Sequence, residues 1–425
     1  MKEEPGAHTL DGLALAAART VGNEADRVET LNSFLDTLGV AHAGWDEPVV
    51  RALRVNYGDF PSSAEHRAVL NATSAHALDF DDLQFSSLAH VSAVVVPAIV
   101  AVMDSCPDAD DLVSAYCAGV NVARWIGAAL GPEHYSAGWH ATSTIGPMAA
   151  AAAVGRLWKL PTAQLRHAIG LATCQSSGTQ RSFGSMAKPL HAGFAAGAGV
   201  RAAELARLNV TGPQAPFGNA GFEGLYSGKG SLASIDFSQR CLDLARKAYP
   251  CCYCGQRLVS ATLDLRKRVG EIAMADVREI TVTAQAGTLL PLTIKQPKDG
   301  NEAKFCADYL IAAAFLDGRL GLEHFQTESL QRNDISELRS RIRVVEVGPM
   351  AATIEDGVVK ASCALRNNQS VDSRDIRHFP GSLEEPLTKT QRKDKLLSCF
   401  AGDVAEAGHL TGKVRGWLGL GVSTR

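Results

Sequence analysis

Apolar residues change their spacing twice along this 425-residue chain, and that change constrains the fold more than any single motif. From about residue 8 to 240 they recur every three to four positions, the repeat that buries one stripe of an α-helix. Helices are predicted over Leu10–Arg19, Glu29–Ala41, Ser63–Ala77, Asp110–Leu130, Thr142–Trp158, Pro161–Leu171 and Leu190–Leu208, and the apolar run Ala89–Met103 reads as a buried helix. Pro61 and Ser62 stand where the third should start. Between about 256 and 375 the period shortens. Arg278–Thr283, Arg341–Val347 and Val358–Ala364 alternate polar and apolar residues as half-buried strands do, with helical segments Gln256–Val269 and Phe305–Leu316 among them. Helix returns over Thr388–Val404, with a last turn near Val414. The pattern predicts a mainly α protein: a large all-helical domain over 1–255, completed by 385–425, and a smaller α+β domain over 256–384.

Composition narrows the function classes. With 42 Lys and Arg against 45 Asp and Glu, a net charge of -3 gives no electrostatic case for nucleic acid or an acidic membrane as partner. Ala89–Met103 is too short to span a bilayer. The N-terminal segment has neither a signal-peptide nor a transit-peptide pattern, so the cytoplasm is the expected compartment. Ten cysteines are too dilute for a disulfide scaffold. The cluster Cys251-Cys252-Tyr253-Cys254 lacks nearby ligands at metal spacing, and its cysteines are expected to be small buried hydrophobes. Small residues crowd Met148–Gly155 and Ala192–Gly199, which predicts closely packed helices.

Four segments carry polar residues inside apolar surroundings. In the first, His76, Asp79 and Asp82 fall on one helical face, with Asp81 between them and His90 beyond. Either Asp81 or Asp82 caps the next helix, or Asp79 orients an imidazole with His90 in the same pocket. In the second, His140 follows Gly138 and precedes a small-residue helix whose free amides suit an anion; it either bonds to backbone or acts as acid, base or carboxylate ligand. In the third, Lys188 precedes Pro189, which can open a helix; an ammonium there is disfavoured by the helix dipole unless an anion compensates, and a solvated surface lysine is the alternative. The fourth, Arg246-Lys247-Ala248-Tyr249-Pro250, sits at the expected domain boundary, where pockets form, and is by itself a weak signal. No phosphate-binding loop, dinucleotide fingerprint, nucleophile elbow or HExxH motif occurs. Paired His and Asp with lysines suit proton transfer beside a carboxylate, the lysines steadying enolate-like charge.

Taken in order, HALDFDD followed by His90, GWHAT ending in Gly146-Pro147, KPLHAG, Lys247-Ala-Tyr-Pro and Lys304-Phe305-Cys306-Ala-Asp-Tyr309 resemble the MmgE/PrpD superfamily over roughly residues 8–410. That superfamily includes 2-methylcitrate dehydratases, cis-aconitate decarboxylases and iminodisuccinate epimerases. The resemblance implies an all-helical domain built from both chain ends, an α+β lid, a homodimer, no metal or organic cofactor, and an active site between the domains. It places the pocket residues at Asp79, His90, His140, Lys188 and Lys247. A small di- or tricarboxylate is the implied substrate, with His140 or His90 moving a proton, Asp79 orienting the pocket, and Lys188 and Lys247 binding carboxylates. Dehydration of a 2-methylcitrate-like hydroxy-polycarboxylate is the leading expectation; decarboxylation of a cis-aconitate-like substrate, epimerisation at an acidic α-carbon and a non-catalytic role are the alternatives. Two departures point to a reshaped pocket: Leu83 stands where the family has Thr, and Val91-Ser92 follow His90 in place of Pro and a small residue.

Overall fold

The computed structural model describes residues 5–105, 107–351 and 356–421, so Cys106 and the extreme termini lie outside the described residues. The helical half packs around two long buried helices, Ala109–Leu130 and Ala141–Leu157, with Ala187–Arg207 laid against the second and Ala64–Ala77 against Ala187–Arg207. Each begins where local chemistry favours it. Ser63 and Asp108 accept the amides of His66 and Asp111 at their helix N-termini, so the second of these helices starts a residue earlier than predicted. The expected close packing is present. An added methyl at Gly199 would collide with Ala150 and the backbone at Pro147 and Ala151, and one at Gly146 would press on Ala195 and Val94. Large aromatics are therefore few in this core; Trp125, Tyr116 and Phe34 are the chief ones. The buried helix predicted within Ala89–Met103 runs Val91–Val102, and no helix among the described residues is long and apolar enough to cross a membrane.

The smaller part holds a four-stranded sheet ordered Ile342–Val347, Val277–Gln285, Val359–Leu365, Ser370–Asp372. The first pair is parallel, with Ile280 opposite Ile342; the others are antiparallel. Inward-facing Val277, Ile280, Val282, Ala284, Val359, Ala361 and Cys363 are buried against helices Tyr253–Val269 and Ala307–Asp317 in a second core. Each fully buried aliphatic side chain there contributes about 1.5–3 kcal/mol relative to exposure.

Three details differ from the sequence expectation. The C-terminal helix is two helices, Lys389–Cys399 and Val404–Trp417, broken where Ala401 and Gly402 turn left-handed and Asp403 caps the second. Helix Ala187–Arg207 starts two residues before Pro189, so Lys188 lies in its first turn rather than ahead of it. A two-residue antiparallel pairing, Leu83 with Ala245 and Gln84 with Leu244, joins segments that no local pattern links. Its effect is positional: it lays Arg246 and Lys247 alongside the HALDFDD loop.

Candidate active site

Helix Ala64–Ala77 ends at Leu78, and Asp79 then takes a left-handed turn at φ 53°, a conformation Asp tolerates better than most residues. The turn directs its carboxylate into a buried space where two ammonium groups meet it. Lys247 Nζ donates to Asp79 Oδ1 at 2.6 Å and to its carbonyl oxygen at 2.8 Å. Lys188 Nζ donates to the same Oδ1 at 3.2 Å and to His76 Nε2 at 2.9 Å. Burial opposes ionisation of Asp79, but Lys188 and Lys247 outweigh it and hold the carboxyl well below its ordinary range. Lys247 is 1% exposed; burial pulls its ammonium down and Asp79 more than restores it, leaving the group above its usual value. A third lysine, Lys304, donates to the Ala77 carbonyl at 3.2 Å and is pulled down by burial.

The imidazoles are held by a different carboxylate. Asp81 Oδ2 lies 2.8 Å from His76 Nδ1 and 3.1 Å from His90 Nδ1. It is fully buried, which fixes the ring faces and leaves each Nε2 turned away from it. This corrects the sequence expectation: Asp81, not Asp79, orients imidazoles, while Asp79 pairs with the lysines. Asp82 takes the capping role, accepting from the backbone N–H and hydroxyl of Ser92 at the start of helix Val91–Val102. On the other side, His140 Nδ1 meets His191 Nδ1 at 2.8 Å, and His191 Nε2 lies 3.3 Å from Ser182 Oγ. The ring centroids of His76 lie 4.6 Å from His90 and 5.9 Å from His140. Burial drives all four imidazoles toward the neutral form, His76 to about 3 and His191 to about 4, with Lys188 adding to the effect.

These groups bound a cavity of about 40 Å³ between the helical core and the second core. It is lined by Asp79, His90, Tyr135, His140 and Lys188 together with Cys252, Tyr253, Cys254 and Phe305, with Leu83 and Leu88 adding apolar surface. His90, His140 and Cys252 are the N-cap residues of helices Val91–Val102, Ala141–Leu157 and Tyr253–Val269, and Lys188 lies in the first turn of Ala187–Arg207. Four helix N-termini thus meet at one small space, bringing the positive ends of their dipoles together there.

Of the five residues singled out from sequence, Asp79, His90, His140 and Lys188 line this cavity. Lys247 does not; it sits behind Asp79, so its expected contact with a substrate carboxylate is replaced by one with Asp79. Sequence reasoning assigned no pocket role to Asp81, His191, Lys304 or Cys252, and noted His76 without assigning one. His76, Asp79, Asp81 and His90 could each offer a ligand atom within 4.8 Å of one another. The lysine ammonium groups engage Asp79 Oδ1 and His76 Nε2, while Asp79 Oδ2, Asp81 Oδ1 and His90 Nδ1 are buried without a hydrogen-bond partner among the described residues.

Gly381 fixes the strand end that carries Lys247. Its φ is +96°, and an added methyl would collide with the carbonyl oxygen of Arg246. Gly381→Ala is expected to destabilise by at least about 1–2 kcal/mol from the left-handed backbone alone, with more from the collision. A thermal melt indistinguishable from wild type would refute that.

An all-helical body and a small α+β part, with Asp, His and Lys lining the cavity between their cores, define a recognisable class. The MmgE/PrpD N-terminal domain matches residues 22–234 and the MmgE/PrpD C-terminal domain matches residues 249–411. The chain belongs to the MmgE/PrpD family. It is 24% identical to a cis-aconitate decarboxylase of Homo sapiens over 406 residues, covering 88% of this chain and 84% of the relative. It is 23% identical to the cis-aconitate decarboxylase of Mus musculus, covering 91% and 80%, and 22% identical to that of Aspergillus terreus, covering 75% and 70%. These family members are lyase-type enzymes.

Proposed function

We propose that this protein decarboxylates a cis-aconitate-like unsaturated tricarboxylate. Similarity to cis-aconitate decarboxylases over most of the chain carries the reading, which favours the alternative over the dehydration expected first from sequence. The cavity chemistry supports it. Loss of one carboxylate as carbon dioxide leaves an electron pair conjugated with the neighbouring double bond, and one proton must then be delivered to carbon. Lys188 and the four helix N-termini stabilise the remaining carboxylates and the developing negative charge. Leu83 and Leu88 offer no hydroxyl for a departing water and give the departing carboxylate an apolar edge, which favours the neutral product.

His90 is the residue we assign as proton donor. Its imidazole is neutral in the free protein, but a bound tricarboxylate brings several negative charges beside it. Asp81, 3.1 Å away, then stabilises the imidazolium. The assignment has a pH signature. Because kcat/KM reports the free enzyme, in which burial has lowered the His90 pKa, kcat/KM should fall about tenfold per unit between pH 7 and 9. A dehydratase using a neutral imidazole as base would give a flat profile over that range.

The direct test is incubation with cis-aconitate in deuterated water, followed by NMR and carbon dioxide release. Stoichiometric carbon dioxide with one carbon-bound deuterium per turnover is expected. Water addition or loss without carbon dioxide would return the reading to dehydration, and deuterium exchange alone to epimerisation.

A further inference from the structure

The cysteine cluster is not used by this chemistry, yet two of its thiols line the cavity. The three cysteines stand in different surroundings. Cys251 is fully buried and its sulfur accepts from Gln256 Nε2 at 3.4 Å; burial holds its thiol well above the ordinary range. Cys252 is the N-cap of the 17-residue helix Tyr253–Val269 and lines the cavity together with Asp79 and Lys188. The Cys254 thiol as hydrogen-bonding neighbour, and behind it the Lys247 ammonium, pull the Cys252 thiol below its ordinary range against burial and Asp79, and the positive end of the helix acts in the same direction. Cys254 lies one turn-step further, also in the cavity lining, and its thiol is held protonated by Cys252 and by burial. Two thiols in hydrogen-bonding contact, two residues apart at a helix start and both in the cavity lining, are the two partners that disulfide chemistry requires.

We propose that Cys252 and Cys254 form an oxidant-sensitive dithiol in the wall of the active-site cavity, at which a hydroperoxide closes a reversible disulfide. The Cys252 thiolate attacks the terminal oxygen of the peroxide. The O–O bond breaks, the leaving oxygen takes a proton to give water or an alcohol, and Cys252 becomes a sulfenic acid. The Cys254 sulfur then attacks the Cys252 sulfur, and the expelled hydroxide takes the Cys254 proton as water. Two thiols and one peroxide give one disulfide and two molecules of water when the oxidant is hydrogen peroxide; sulfur loses two electrons and the peroxide gains them. The bridge would tie together two residues at the first turn of helix Tyr253–Val269 in the cavity lining. The proposal does not depend on which tricarboxylate the protein uses.

The experiment is peroxide treatment of the full-length protein, capping of remaining thiols with N-ethylmaleimide in denaturant, and mass spectrometry of the peptide spanning Cys251 to Cys254. One maleimide, on Cys251, and a peptide otherwise lighter by two hydrogens are expected, with dithiothreitol restoring three maleimides. In Cys254→Ser the bridge should be lost and dimedone should trap a sulfenic acid on Cys252. Three maleimides after peroxide, under conditions that oxidise the exposed Cys174 and Cys241, would overturn the proposal. So would a bridge that includes Cys251.

Discussion

Asp79→Ala is expected to abolish measurable turnover, lowering kcat by about a thousandfold or more, and to destabilise the fold at the same time. The carboxylate is the shared partner of Lys188 and Lys247, and both ammonium groups are buried. Removing one partner of a buried pair costs about 3–5 kcal/mol because the remaining charge is left without compensation. Here two charges are left, and alanine must also adopt the left-handed backbone that Asp79 occupies. Asp79→Asn separates the two effects. Asparagine accepts that backbone conformation and keeps a hydrogen-bond acceptor for one lysine, so much of the thermal stability should return while turnover does not. The pH dependence follows from the lowered pKa. A depressed native-state carboxyl stabilises the fold above its unfolded value near 4, and that contribution is lost as pH falls toward the native value. Wild type should therefore lose part of its advantage over Asp79→Ala on acidification below pH 4. Equal melting temperatures for the two proteins at pH 7 would refute the pairing argument.

Asp81→Asn should leave the protein folded and lower kcat by about a hundred- to ten-thousandfold, the range seen when an acid–base residue loses its proton-transfer role or its orienting carboxylate. The carboxylate oxygen Oδ2 is the hydrogen-bond partner of His76 Nδ1 and lies 3.1 Å from His90 Nδ1, facing both rings. An amide oxygen in the Oδ2 position can still face both rings, but it carries no negative charge. It therefore cannot stabilise an imidazolium beside bound substrate. The readout that distinguishes this from a general structural effect is the pH profile: the kcat limb set by His90 in the complex should move to lower pH, with KM changing much less than kcat. An unchanged kcat limb would remove Asp81 from its assigned role.

Much of the helical body was legible because its signals are local. The stripe of Ala64–Ala77 and the caps at Ser63 and Asp108 lie within a few residues of what they control. The break at Gly402-Asp403 carried a local signal too, a left-handed glycine followed by a capping carboxylate, but the apolar repeat continues across it and masked the stop. The site was legible as a set of residue types and much less as a set of partners. Lys247 reaches Asp79 only through the two-residue pairing of Leu83–Gln84 with Leu244–Ala245, about 160 positions apart, which leaves no periodic trace. The exchange of roles between Asp79 and Asp81 turns on one left-handed residue; helical geometry extrapolated past Leu78 puts the wrong carboxylate beside the imidazole. His191 was visible in KPLHAG, but its contact with His140 requires two helices to be docked first.

The convergence of four helix starts on one cavity divides the labour between main chain and side chains. Peptide dipoles carry no titratable proton and survive every substitution that preserves the helices. In the function we propose, the preference for an anionic guest would thus rest on the architecture, and what happens to that guest on the few side chains at the helix ends. Changing Leu83, Cys252 or His140 can redirect the bond that breaks without rebuilding the attraction that brings the guest in. An uncharged ester of the right shape should find no hold here, and new reactions on this scaffold should be sought among carboxylates.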